Sequence, residues 1–304
     1  MSKKSKPKAG IRNWISGARL RTLPLAVAPV VVGYGIASVM QSASVGLTLL
    51  ALAVSVFLQI GVNYANDYSD GIRGTDDYRV GPMRLTGSGA VEPKKVRNAA
   101  FTFFGLAGLA GLAIVVLSGL WWLIAVGAAC IVAAWFYTGG KRPYGYAGLG
   151  EVFVFIFFGL VATFGTVVIQ VKNFLTSADG LFYTTGAAIS MGLFASAVLM
   201  VNNIRDIDTD RAAGKKTLAA RVGRKWAKAF YLAFLWVPMV LLFPYIVVFQ
   251  RAGFAYFDLL MILPLTLIVV TAESTREYIL ALKLTSYATL AYAVLLAYGM
   301  IFIA

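Results

Sequence analysis

Apolar runs of about twenty residues recur along the chain between short polar breaks, each long enough to cross a bilayer as a helix. Nine spans are expected, over residues 22–40, 46–66, 98–117, 120–138, 151–171, 181–203, 227–249, 256–272 and 284–303. The intervals between them leave no room for a separate water-soluble domain, so residues 1–304 read as one all-α transmembrane domain. The opening residues are basic and polar and lead into the first span without a small-residue cleavage pattern, which reads as a retained cytoplasmic tail. The stretch from Gly10 to Arg19 has the alternation of an amphipathic segment lying at the membrane interface, so residues 1–19 form a tail and an anchor.

Composition narrows the chemistry. The 304 residues are 60% hydrophobic and only 13% charged, with one cysteine, Cys130, and no histidine. Disulfide frameworks, Cys/His zinc sites, haem ligation and histidine acid–base catalysis are therefore excluded, leaving carboxylates, amides, hydroxyls and cations. The charge that remains is one-sided. With the tail inside and the spans alternating, 25 of the 27 lysines and arginines fall on the tail's side, against Lys172 and Arg251 on the other. The positive-inside bias sets the orientation and places the long loops, 66–97 and 204–228, in the cytoplasm of a multi-pass cell-membrane protein. Contact with anionic lipid accounts for much of this charge, and no nucleic-acid partner is expected.

Seven of the thirteen acids stand in two clusters at the cytoplasmic ends of the second and sixth spans. One runs from Asn66-Asp67-Tyr68-Ser69-Asp70 to Asp76-Asp77; the other is Asn202-Asn203-Ile204-Arg205-Asp206-Ile207-Asp208-Thr209-Asp210. At an offset of 136, Asn66 meets Asn202, Asp67 meets Asn203 and Asp70 meets Asp206, while Gly74 falls opposite Asp210. This is an internal repeat. Four spans separate the two motifs, so the halves are parallel: two four-helix units and one further helix. Asn63, Asp67 and Asp70, at i, i+4 and i+7, share a helix face, as do Asn203, Asp206 and Asp210 if their helix runs that far. Like charges gathered at negative helix ends call for a cation, and an all-oxygen ligand set favours Mg²⁺. Arg73, Arg79, Arg84, Arg205, Arg211, Lys215 and Lys216 flank the acids, with Lys141 and Arg142 between them, a setting suited to a metal-bridged diphosphate.

These motifs resemble the UbiA superfamily of intramembrane aromatic prenyltransferases. The opening Arg19-Leu20-Arg21-Thr22-Leu23-Pro24, the stretch from Asn66 through Arg79-Val80-Gly81-Pro82, and that from Asn202 through Gly214-Lys215-Lys216-Thr217 are similar to the 1,4-dihydroxy-2-naphthoate polyprenyltransferase branch. The resemblance implies nine helices around a central cavity open to the cytoplasmic leaflet. It also implies Mg²⁺-dependent transfer of a polyprenyl group from its diphosphate to 1,4-dihydroxy-2-naphthoate, with loss of the carboxylate, on the route to menaquinone. One departure is Gly74, where superfamily members often carry a third acid, and Asp76 is the candidate replacement.

On this resemblance, Asp67 and Asp70 are expected to hold one Mg²⁺ and Asp206 and Asp210 a second, with Asn203 beside them and Asp76 in reserve. Asn63, Asn66 and Asn203 would orient carboxylates or metal-bound water; Arg73, Lys141, Arg142 and Lys215, with Arg79, Arg84 and Arg205 nearby, would meet the diphosphate. Tyr64, Tyr68, Tyr137 and Tyr144 are candidates to face an allylic cation, Asp208 to bind or deprotonate the phenol, and Arg21 to meet the naphthoate carboxylate. The glycines of 105–111 would leave room for a lipid tail or serve helix packing. Competing readings are a prenyltransferase for another acceptor, such as 4-hydroxybenzoate, homogentisate or haem, and a cation-coupled transporter. The sequence leaves prenyl chain length and oligomeric state open.

Overall fold

The computed structural model describes residues 10–75 and 84–302, and among these every regular element is helical. Helix α1 (Ile11–Ala18) turns Ile11 and Ile15 outward and buries Gly17 and Ala18, the division expected of an interfacial helix. It ends where Arg19 takes a left-handed conformation, and the chain bends by 47° into α2 (Pro24–Val39), with Pro24 at a position where its missing N–H costs nothing. There follow α3 (Val45–Ile72), α4 (Pro93–Ser118), α5 (Leu123–Phe136), α6 (Gly150–Val168), α7 (Ala178–Arg205), the short α8 (Ile207–Ala212), α9 (Leu218–Val248), α10 (Gln250–Thr271) and α11 (Thr275–Ile301).

Seven of these helices, α3, α4, α6, α7, α9, α10 and α11, are long and apolar enough to span a bilayer, and the bent α1–α2 pair makes an eighth. The protein is a multi-pass membrane protein. All nine expected apolar segments are helical, but α5 has only 14 residues, shorter than a full span, because turns at Trp121-Trp122 and Tyr137-Thr138 close on both its ends.

Helix α7 is the hub. It packs on α2, α6, α9 and α11, and 72% of its most apolar window is buried, against 11% for α3. Its contact with α6 is backbone to backbone: a Cβ on Gly159 would stand 2.5 Å from the Gly192 Cα. Helices α3 and α4 form a second, smaller core around Tyr64, Val96 and Phe104. The void between the two cores becomes the site.

The two motif helices end differently. Helix α3 runs six residues past its expected end, so Asn63, Asp67 and Asp70 do stand on one helix. Helix α7 stops at Arg205, where Asp206 leaves helical geometry and Arg205 closes on its carboxylate with two hydrogen bonds of 2.7 and 2.6 Å. Asp210 therefore sits on α8, and the single face expected for Asn203, Asp206 and Asp210 is broken into two segments.

Candidate active site

A cavity of about 580 Å³ lies between α2, α3, α4, α5, α6 and α7, within the range typical of ligand sites. One end is polar. From the first motif Asn63, Asn66 and Asp70 line it, and from the second Asn202, Asn203, Asp206 and Asp210, with Arg19, Arg84 and Lys215 around them. The motifs, 136 residues apart in sequence, face one space. Lys215, from the loop after α8, reaches back to Asp70 with Nζ 3.4 Å from Oδ1, and both side chains are nearly buried.

Asp70 is held a second time by the Tyr146 hydroxyl, which donates to the same oxygen, while Lys215 stands 4.6 Å above the Tyr146 ring. Burial and the Asp70 carboxylate both push the Tyr146 phenol well above its ordinary value, so it remains a donor throughout the neutral range. Asn66 accepts from the Thr138 hydroxyl at 2.7 Å, and the Asn63 amide donates to the Ala18 carbonyl at 2.9 Å, tying α1 to α3.

The other end of the cavity is apolar. Helix α6 lines it with Phe153, Phe157, Val161, Gly165 and Ile169, each four residues from the last. In a regular α-helix a four-residue step overshoots a turn by about 40°, so five such positions could not share a wall. Residues Phe155–Val161 are wound as a π-helix, and the looser winding keeps the series facing the cavity. Phe153 stacks on Tyr144 at 4.0 Å, and Tyr144 meets Tyr137 edge-on at 5.4 Å, continuing the aromatic wall toward Asp70. Gly108, Gly127 and Gly165 have open space where a Cβ would be, so these glycines serve cavity width instead of helix packing.

Several expected residues stand elsewhere. Asp67 is 1% exposed and outside the cavity wall; its two oxygens accept from the backbone N–H groups of Leu85 and Thr86, at 2.9 and 2.8 Å. It pins the loop that carries Arg84. Asp208 lies on the exposed face of α8, paired with Arg224 at 3.2 Å, because helix α8 turns it away from Asp206. Arg73 bonds the carbonyls of Thr138 and Gly140, Arg205 is spent on Asp206 and Asn202, and Lys141 and Arg142 are exposed outside the cavity. Tyr64 bonds the Trp14 carbonyl at 2.8 Å and Tyr68 stacks on Trp135, both away from the lining. Arg21 also lies outside it, and Arg19 lines it in its place. Asp76 and Arg79 lie outside the described residues. Sequence reasoning missed Gln59, Thr138, Tyr146 and Glu151; none stands in a motif, and only Glu151, a lone acid opening an apolar span, carries a visible signal.

The donor set suits a hard cation. Among the described residues no three carboxylates converge, so a cation here would meet one or two carboxylates together with amide oxygens. Mg²⁺ binds in that manner when diphosphate and water complete its shell.

The model of the UbiA prenyltransferase family matches residues 26–286. The 1,4-dihydroxy-2-naphthoate octaprenyltransferase of Mycobacterium tuberculosis is 53% identical over 235 residues, covering 77% of this chain and 78% of that one. The enzyme of the same name from Escherichia coli is 36% identical, over 75% of this chain and 74% of its own. In fold, a UbiA homologue from Archaeoglobus fulgidus, solved with GPP and Mg²⁺, superposes with a TM-score of 0.63 at 14% identity, over 95% of this chain and 99% of that one.

Proposed function

Because the chain belongs to the UbiA prenyltransferase family, we propose that it transfers a polyprenyl group from polyprenyl diphosphate to 1,4-dihydroxy-2-naphthoate, giving demethylmenaquinol for menaquinone synthesis. The observation that carries this reading is the meeting of the two motifs, Asp70 on one side and Asp206 and Asp210 on the other, at the polar mouth of a cavity whose far end is aromatic and apolar. The relatives named as 1,4-dihydroxy-2-naphthoate octaprenyltransferases support the acceptor.

The diphosphate lies at the polar mouth. Asp70 with Asn66, and Asp206 and Asp210 with Asn203, would hold Mg²⁺, one ion for each motif. When bound, Mg²⁺ supplies positive charge against the diphosphate oxygens. Lys215, Arg19 and Arg84 line the same space and stabilise the diphosphate as its carbon–oxygen bond breaks and the electron pair leaves with it. The allylic cation left behind faces the aromatic wall of Tyr137, Tyr144, Phe153 and Phe157, which excludes water and offers π density. The ring carbon bearing the carboxylate attacks, forming the new carbon–carbon bond, and that carbon then expels CO₂. The electrons of the breaking bond restore the aromatic ring. Since CO₂ leaves, and not a proton, that carbon needs no general base, consistent with the exposed position of Asp208. The polyprenyl tail runs along the open face at Gly108, Gly127 and Gly165.

The whole chain acts as one transmembrane unit, and the segments 66–75, 84–97 and 204–228 bring Asp70, Arg84, Asp206 and Lys215 to the diphosphate. The placement of lysine and arginine supports a plasma-membrane protein with its N-terminus and these loops in the cytoplasm.

The test is product formation by the purified protein in lipid with Mg²⁺, a polyprenyl diphosphate and 1,4-dihydroxy-2-naphthoate. Prenylated, decarboxylated product that vanishes with EDTA is the expected outcome. Prenylation of 4-hydroxybenzoate in its place would overturn the acceptor and keep the reaction class, and release of no diphosphate with any acceptor would overturn both.

A further inference from the structure

Behind the cavity wall, at the start of α6, lies Glu151, a carboxylate only 3% exposed in a helix otherwise facing apolar surroundings. Its Oε1 accepts a 2.9 Å hydrogen bond from the Asn203 amide nitrogen, and its Oε2 is buried without a hydrogen-bond partner. Its backbone is fastened as well: the Ser196 hydroxyl, two turns earlier on α7, donates to the Glu151 carbonyl at 3.0 Å. A buried acid costs several kcal/mol unless compensated, so its retention beside a motif residue needs an account. Asn203 lines the cavity and Glu151 does not.

We infer that Glu151 is a positioning residue, which fixes the Asn203 amide so that its carbonyl oxygen faces the cavity. The inference rests on the prenyl-transfer reading above. An amide is symmetric in shape and can present either end, but a carboxylate accepts and does not donate, so Glu151 takes the nitrogen and leaves the oxygen for the site. A free asparagine would populate both orientations, and the nitrogen-out form would turn an N–H dipole toward a cation. Glu151 also polarises the amide, making its oxygen a better ligand, as acidic partners do behind metal-binding groups.

The experiment measures binding of Mn²⁺ together with inorganic pyrophosphate to the full chain in lipid nanodiscs, reading free Mn²⁺ by electron paramagnetic resonance, alongside product formation. Glu151→Met fills the volume and removes the acceptor; Glu151→Gln keeps a carbonyl that can accept from Asn203 but adds an NH₂ that can donate to it. The expected result is Mn²⁺ affinity weakened about tenfold or more in Glu151→Met and in Asn203→Ala, the range seen when such supporting groups are removed. The double variant should be no weaker than Asn203→Ala alone, and Glu151→Gln, which orients the amide only in part, should fall between the parent and Glu151→Met. Parental affinity in Glu151→Met, multiplying losses in the double variant, or a Glu151→Gln affinity below that of Glu151→Met would each overturn the inference. If Glu151→Met does not fold, parental affinity in Asn203→Ala or in Glu151→Gln overturns it, and weakened binding in both supports it. Failure of the parent protein to form product would overturn the prenyl-transfer reading itself, a result distinct from parental turnover with insensitive variants.

Discussion

The motifs on α3 and α7 align at an offset of 136 residues, yet their second position is an aspartate in one and an asparagine in the other. Around Asp67 the neighbours are two backbone N–H groups, of Leu85 and Thr86, and a carboxylate with two accepting oxygens satisfies both. Around Asn203 the neighbour is an acceptor, Glu151, and asparagine can donate to it where an ionised aspartate could not. The repeat preserves a position that ties its helix to an adjoining segment, and each half chooses the side chain whose polarity suits its own partner. The acids three residues further on, by contrast, keep one identity in both halves. Asp70 and Asp206 both reach the cavity, one met by Lys215 and Tyr146, the other by Arg205. Asp70 and Asp206 keep one identity where both face the cavity, while Asp67 and Asn203 differ with the partner that each half sets beside them.

The sharpest way to break this comparison is to remove the constant positions. Asp70→Ala and Asp206→Ala should each lower turnover on the order of 10²–10³-fold, the scale of losing one main electrostatic contact to a reacting group, while detergent melting curves show folded protein. A loss at only one of them would mean that the halves do not share the work. Next is the open wall. Gly165→Leu should reduce kcat/KM about tenfold or more for a long polyprenyl diphosphate and leave geranyl diphosphate much less affected, since a side chain there occupies space and not the mouth. Equal losses for both donors would remove the tail from that wall.

Exchanging the variable positions gives smaller effects, read as stability. Asn203→Asp sets a second carboxylate against buried Glu151 and should cost roughly 3 kcal/mol or more unless one acid takes up a proton. Asp67→Asn leaves one of the Leu85 and Thr86 N–H groups without an acceptor and should cost about 1–3 kcal/mol. Both are checked by thermal melting in one detergent, and the reverse order would mean that polarity matching does not explain the exchange. The smallest effect is expected at Asp208: its surface pair with Arg224 is solvated, so Asp208→Asn should leave melting and turnover unchanged within error.

Much of the protein was legible in the chain. Helix type and approximate position follow from apolar length, because a backbone inside lipid must satisfy its own hydrogen bonds. The repeat, the oxygen-only chemistry and the family resemblance all stand in the order of residues. Helical spacing also grouped Asn63, Asp67 and Asp70 correctly on α3. Spacing names a face, however, and not what that face meets: Asn63 and Asp70 reach the cavity, while Asp67, between them, turns to the 85–86 backbone. On α7 the helix does not run that far: Asp206 leaves helical geometry after Arg205, and Asp210 stands on a separate segment from Asn203.

What the sequence by itself determined is therefore the membrane architecture, the family and the inventory of oxygens and cations, since each depends on local length, composition or motif. Only the tertiary structure decided which of those groups meet. Lys215 reaches Asp70 across 145 residues, Tyr146 joins them from a loop with no motif, and Glu151 stands behind Asn203. The physical reason is that a hydrogen bond is decided at about 3 Å, and contacts at that distance between remote segments are set by how α3, α6 and α7 pack, which no local pattern encodes.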